Sequence, residues 1–159
     1  MADELLSRRG VIAAGLALAA SGGRARATEA LPRMVVNKDP SCGCCSGWVT
    51  HVRQAGFTVD VVDTSSLNRV KARLGVPDSL AACHTAETGG YVIEGHVPAS
   101  AIKRLLSERP RAKGLAVPGM PVGSPGMEVD GAEPETYAVI LFGPAGQQTF
   151  ARYRGIQQL

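Results

Sequence analysis

The chain is poor in aromatic side chains, has few cysteines, and carries no apolar run long enough to cross a bilayer. Aromatics make up 4% of its 159 residues, too few to build a stacking platform for single-stranded nucleic acid, so the core must be mainly aliphatic. The longest apolar run, Val11 to Ala20, is about half of the ~20 residues a membrane-spanning helix requires, which argues against a stable membrane anchor. A lasting charge excess is also missing. The 17 basic and 14 acidic residues give a net +3, but Arg8, Arg9, Arg24 and Arg26 on one side, and Asp3 and Glu4 on the other, fall within residues 1–27. Beyond them 13 basic and 12 acidic residues remain, a net +1 with no basic stripe. Nucleic acid is therefore not an expected partner.

The first segment has its own logic. In "LLSRRGVIAAGLALAASGGRARA" a basic head precedes the apolar run, and an Ala-x-Ala ends at Ala27. This is the layout of a cleaved export signal. Arg8-Arg9 after Ser7 resembles a twin-arginine signal, and Arg24 and Arg26 near the cleavage site suit that route. The expectation is a signal over 1–27, a mature domain over 28–159, and a periplasmic location.

Along the mature chain, "RMVVNK" (33–38) reads as a buried strand stopped by the turn cluster "DPSCG". Trp48, Val49 and Val52 fall at helical spacing, so a helix runs from Cys44 or Cys45 to Gln54, with Gly56 as its stop. "FTVDVVD" (57–63) alternates as a strand. Ser65 or Ser66 can cap a helix over "LNRVKARLG" that ends at Gly75. "GGYVIEG" reads as a strand, and "VPASAIKRLLSERP" as a helix with Pro98 at its first turn. Residues 110–134, crowded with Gly and Pro, read as one long functional loop. "YAVILF" and "QQTFARY" close the chain as a hairpin. No internal repeat is visible. The order suggests an α/β, thioredoxin-like fold, a small mixed sheet flanked by helices with a long Gly/Pro-rich loop.

The four cysteines carry the chemistry. Cys42, Cys44 and Cys45 crowd into "SCGCCS", and Cys83 precedes His84. At a helix N-terminus the thiolate form is favoured, which suits a redox nucleophile and a metal ligand equally. A redox pair needs Cys42 as nucleophile and Cys45 as resolving thiol, but a third thiol between them invites wrong pairings. A soft metal, or a cluster bridged by thiolates, uses all of them. Two structural disulfides are the remaining alternative, although Cys44 and Cys45 are adjacent and cannot easily join. Other soft donors are His84, His96, and Met120 and Met127 in "PGMPVGSPGME". Thiolate, imidazole and thioether together select Cu(I) over hard cations; zinc is content with Cys₃His, and silver suits the same sulfur set as Cu(I). Met34 is read as core and Trp48 as a packing cover over the site. His51 is read as a supporting or solvated residue. Glu87, Glu94 and Glu128 are read as solvent-facing charges within reach of orienting a ligand histidine.

The stretches "KDPSCGCCSGW", "ACHTAETGGYVIEGHVP" and "GLAVPGMPVGSPGME" together resemble a family of exported metal-binding proteins of Gram-negative bacteria, whose copper-resistance members are called CopG. The resemblance implies a thioredoxin-like periplasmic domain that binds copper through cysteine sulfur, as a cysteine-bridged cluster, with copper redox chemistry as a further expectation. Carried onto this chain, it implies Cys42, Cys44, Cys45 and Cys83 as thiolate ligands, with His84, His96, Met120 and Met127 as candidate completing donors. Copper ions are the implied cargo, and periplasmic copper carriers or efflux components the implied partners.

Overall fold

A computed structural model describes residues 30–159; the expected signal over 1–27 lies outside the described residues. The apolar run at Met34 forms β1 (Met34–Lys38), with Met34 and Val36 fully buried. Asp39 then turns the chain: its Oδ1 accepts from the Ser41 amide at 2.8 Å, a local turn in which the side chain replaces a backbone partner. Cys42 caps α1 (Gly43–Gln54), which buries Cys45, Trp48, Val49 and Val52 on one stripe. Gly56, at φ +98°, reverses the chain into β2 (Val59–Asp63). β2 lies parallel to β1, with Met34 opposite Val59.

α2 (Leu67–Leu74) stops at Gly75, whose φ of +70° supplies the left-handed C-cap. A short 3₁₀ turn (Asp78–Leu80) leads to β3 (His84–Thr88) and β4 (Tyr91–Glu94). This hairpin turns on Gly89-Gly90, both with positive φ, as a tight two-residue turn demands. α3 (Ala99–Glu108) follows, then β5 (Gly114–Ala116), β6 (Thr136–Gly143), β7 (Gly146–Arg154) and β8 (Gln157–Gln158). Among the described residues one sheet orders them β2-β1-β3-β4-β5-β6-β7-β8. β1/β2 and β4/β5 pair in parallel and the other neighbours antiparallel.

The alternation of side chains assigns the two faces. Ile93 and Leu115 join Trp48, Val52, Ile102 and Leu105 in one cluster, so α1 and α3 cover that face. Their neighbours Val92 and Ala116 join Leu74 and Leu80 on the other, under α2. α3 has no side-chain cap of its own, since Pro98 holds the N-cap position. Instead His51, in the last turn of α1, accepts from the Ala99 amide at 3.1 Å, tying that helix to the start of α3.

Three readings change. β3 was not expected, because "HTAET" looks polar, yet it is a central strand between β1 and β4. The loop expected over 110–134 is interrupted by β5, which joins the C-terminal hairpin to the sheet. The sheet is consequently large rather than small. Gly114 makes that join possible: a Cβ there would fall 1.7 Å from the Val92 carbonyl oxygen.

Candidate metal centre

The cysteine loop after β1 and the segment entering β3 meet because β1 and β3 are adjacent antiparallel strands, with Lys38 opposite His84. Sequence-distant thiols thus converge at one sheet end. The Sγ atoms of Cys42, Cys44, Cys45 and Cys83 all lie within 4.8 Å of one another. Cys42 and Cys45 are joined as a disulfide with Cα atoms 5.4 Å apart, whereas Cys44 and Cys83 are free. Two of the four expected thiolates are therefore available only after reduction. Cys44 Sγ stands 3.5 Å from Cys42 Sγ and 3.9 Å from Cys83 Sγ.

Cys83 also belongs to a second group. Its Sγ, a His84 ring nitrogen and a His96 ring nitrogen lie within 4.8 Å of one another, with Cys83 Sγ 3.4 Å from His84 Nδ1 and 3.0 Å from His96 Nε2. His96 Nδ1 is 2.8 Å from the Pro125 carbonyl, which accepts only, so Nδ1 carries the proton and the Nε2 lone pair faces Cys83. A backbone acceptor that fixes the tautomer in this way is the usual support of a metal-ligating histidine. His84 is fully buried against Trp48, with ring centroids 4.4 Å apart, and its Nε2 has no hydrogen-bond partner. A buried polar atom without a partner is costly, and the ring nitrogen that stands beside the Cys83 sulfur is the other one, Nδ1. Trp48 in turn donates from Nε1 to the Val97 carbonyl at 2.9 Å, which holds it against the His84 ring.

The electrostatics suit neutral imidazole and reluctant thiol. Burial, then the neighbouring Cys44, pushes Cys83 up to about 12, so a metal must displace its proton. Burial lowers His84 well below its ordinary range, with His96 and Lys71 adding to the effect. Burial also lowers His96, against the opposing influence of the Pro125 carbonyl and Glu128. Both rings are ready to bind metal without first losing a proton.

Residues 117–135 form no helix or strand, but part of this segment is firmly seated. Gly126 rests on the first turns of α1, where a Cβ would fall 2.5 Å from both Cys44 O and Trp48 N. The seat is held by internal bonds from Met127 N to Ser124 O and from Gly123 N to Met127 O. Met127 is partly buried beside this contact, and Met120 is 53% exposed. The structure thus brings together the four cysteines, His84 and His96, and carries the methionines on the segment that covers them. His51 turns toward α3. The reading of Glu94 as a solvent-facing charge is overturned: it is fully buried and ion-paired with Lys71, because its strand end is roofed by α2. Lys71 was not singled out in the sequence; a lysine on an amphipathic helix carries no signal of burial.

A family model described as "Protein of unknown function, DUF411" matches residues 80–127. Two solved structures of a copper resistance protein CopG, forms 2 and 1, are each 42% identical to this chain. They align over 98% and 99% of their own length and 77% and 79% of this chain, with TM-scores of 0.73 and 0.72. The chain belongs to the CopG (DUF411) family. No curated protein matches it. The family-model span takes in Cys83, His84, His96 and the covering segment as far as Met127, but not the Cys42–Cys45 loop.

The histidines also set a pH dependence for the metal-free protein. His51, His84 and His96 are all lowered in the folded state, so unfolding takes up protons below their ordinary value near 6.5 and stability falls with falling pH. Glu94, raised by burial, works in the opposite sense by one proton. The net expectation between pH 6.5 and 5 is a loss of stability as the pH falls, because the lowered histidines outnumber the one raised carboxyl. Thermal melts of the apo protein across this range check it; a midpoint that rises toward pH 5 contradicts it.

Proposed function

We propose that this protein holds Cu(I) in the periplasm, as part of copper resistance and homeostasis, on a thioredoxin-like frame. The observation that carries the reading is the convergence of four cysteine sulfurs within 4.8 Å, with His96 already held in a ligand tautomer. Sulfur-rich donors with imidazole favour Cu(I) among the metals a cell offers. The copper-resistance naming of its 42% identical relatives supports the same cargo. The frame reading rests on β2-β1-β3-β4 with α1 between two parallel strands and the cysteine motif at the start of α1.

Loading requires reduced thiols. A dithiol donor that gives two electrons and two protons to the Cys42–Cys45 disulfide opens two more thiol ligands, and metal binding then releases protons. Cys83 joins the two donor groups, His84 and His96 complete the set, and Met127 and Met120 are the thioethers that the covering segment brings. Export by the twin-arginine route would deliver the domain to periplasmic carriers or efflux components as exchange partners.

The test is metal content and X-ray absorption on reduced residues 28–159 loaded anaerobically with Cu(I). The expected result is copper held against a competing chelator in a sulfur-dominated shell, with silver competing and zinc displaced. Loss of all copper to a modest chelator overturns the reading. The disulfide itself favours a second reading, a thiol–disulfide or copper oxidoreductase with Cys42 partly exposed and Cys45 buried. Replacing Cys44 by Ser separates the two: exchange activity survives in such an enzyme, whereas copper capacity falls in a cluster protein.

A further inference from the structure

Outside the donor set, one ion pair is buried at both partners among the described residues, and its bonds converge on the metal centre. Lys71 of α2 and Glu94 at the end of β4 are 9% and 0% exposed. The Glu94 carboxylate accepts from Lys71 Nζ, from the Ala82 amide at 2.6 Å and, through its other oxygen, from Thr85 Oγ1 at 2.7 Å. Lys71 Nζ also donates to Thr85 Oγ1 at 3.0 Å. Ala82 and Thr85 flank Cys83-His84 on either side. Glu94 itself stands two residues before His96, and its own carbonyl accepts from Val117 N at the start of the covering segment. One carboxylate therefore grips the chain immediately before and immediately after the donor dipeptide, and anchors the strand that delivers the third donor.

Such a pair is an expensive way to fill space. Removing two charges from water costs several kcal/mol per ion, and apolar residues of the same volume are commonly as stable or more so. Its value must lie in geometry that an apolar contact cannot supply, because hydrophobic packing is non-directional whereas three donors around a carboxylate fix position. The neighbouring Gly95, at φ +71° with no room for a Cβ between Ala82 Cβ and the Val117 carbonyl, keeps the strand close enough for the grip.

We propose that Lys71 and Glu94 form a clamp that positions Cys83, His84 and His96 for metal. They are positioning residues, not ligands. The idea rests on the copper reading above, but its test has a metal-free arm. Two paired variants are compared with the parent, Lys71→Met with Glu94→Leu, and Lys71→Met with Glu94→Gln. The first keeps the volume and removes every acceptor for Ala82; the second keeps a neutral acceptor there. The readouts are thermal midpoint, Cu(I) affinity by chelator competition, the copper–imidazole contribution in X-ray absorption, and alkylation of Cys83 relative to Cys44 in the reduced, metal-free protein.

The Leu variant should melt near the parent, bind Cu(I) about 10–100-fold more weakly, as loss of ligand support commonly costs, lose copper–imidazole signal, and expose Cys83 to faster alkylation. The Gln variant should recover most of each. A folded Leu variant with parental affinity and alkylation overturns the proposal, as does a Gln variant as weak as the Leu one. Should the Leu variant fail to fold, Thr85→Val decides: a severalfold loss of affinity with faster Cys83 alkylation upholds the clamp, and parental behaviour overturns it. If the parent itself retains no copper, the copper reading fails while the alkylation arm still judges the clamp.

Discussion

Replacing Cys83 by serine is expected to weaken copper binding more than replacing any other single proposed donor. Cys83 is the one residue common to both donor groups, with its sulfur 3.9 Å from Cys44, 3.4 Å from His84 and 3.0 Å from His96. Without it the cysteine loop and the histidine pair are two fragments with no shared ligand. A serine hydroxyl is hard and stays protonated at any physiological pH, so it cannot substitute toward a soft cation. The expected loss exceeds the roughly 10–100-fold that follows from removing an outer support of a ligand. Cys42→Ser, by contrast, leaves Cys44, Cys45, Cys83 and both histidines in place, and should keep measurable affinity. Chelator competition on the two reduced variants provides the comparison. Cys83 is only partly buried, so Cys83→Ser should melt close to the parent, and a folded variant with undiminished copper would place the centre elsewhere.

Why some of this could be read from the sequence and some not is a matter of which interactions leave a local trace. β1, α1 and β2 follow from short-range periodicity, and "SCGCCS" announces itself because three thiols in four positions have few other uses. His84 is flagged by its neighbour Cys83. β3 leaves no such trace. "HTAET" is polar by composition, and its burial arises because β1 on one side and β4 on the other hide its edges while α2 roofs one end. β5 is three residues long and depends on Gly114 admitting the Val92 carbonyl, a contact with no sequence signature. Lys71 and Glu94 are 23 residues apart, and charged residues default to solvent in any reading from pattern alone. The sequence allows Cys42 and Cys45 as a redox pair, but four nearby thiols permit several pairings, and it is the folded chain that joins Cys42 at the N-cap of α1 to Cys45 on the buried stripe of that helix.

The covering segment yields the second large effect. Gly126→Ala should destabilise the protein by about 3 kcal/mol, since two costs combine there. At φ +83° a side chain adds about 1–2 kcal/mol of strain, and its Cβ would meet the backbone of Cys44 and Trp48 at 2.5 Å, which cannot rotate aside as a side chain can. The segment must lift off α1 instead, and the adjacent Pro125 carbonyl moves with it. His96 Nδ1 then loses its acceptor, the proton is free to shift to Nε2, and the nitrogen facing Cys83 ceases to be a ready ligand. Copper affinity should therefore fall about 10-fold beyond any effect of stability. Gly131→Ala is the control. That glycine has a similar φ, +76°, but a Cβ there meets nothing within 4 Å, so it bears the strain without the collision and should leave copper affinity unchanged. Thermal melts and chelator competition on both variants separate the seat from the strain. If Gly126→Ala melts lower yet binds copper as the parent does, the segment stabilises the fold without governing His96, and the ligand tautomer is set by Cys83 alone.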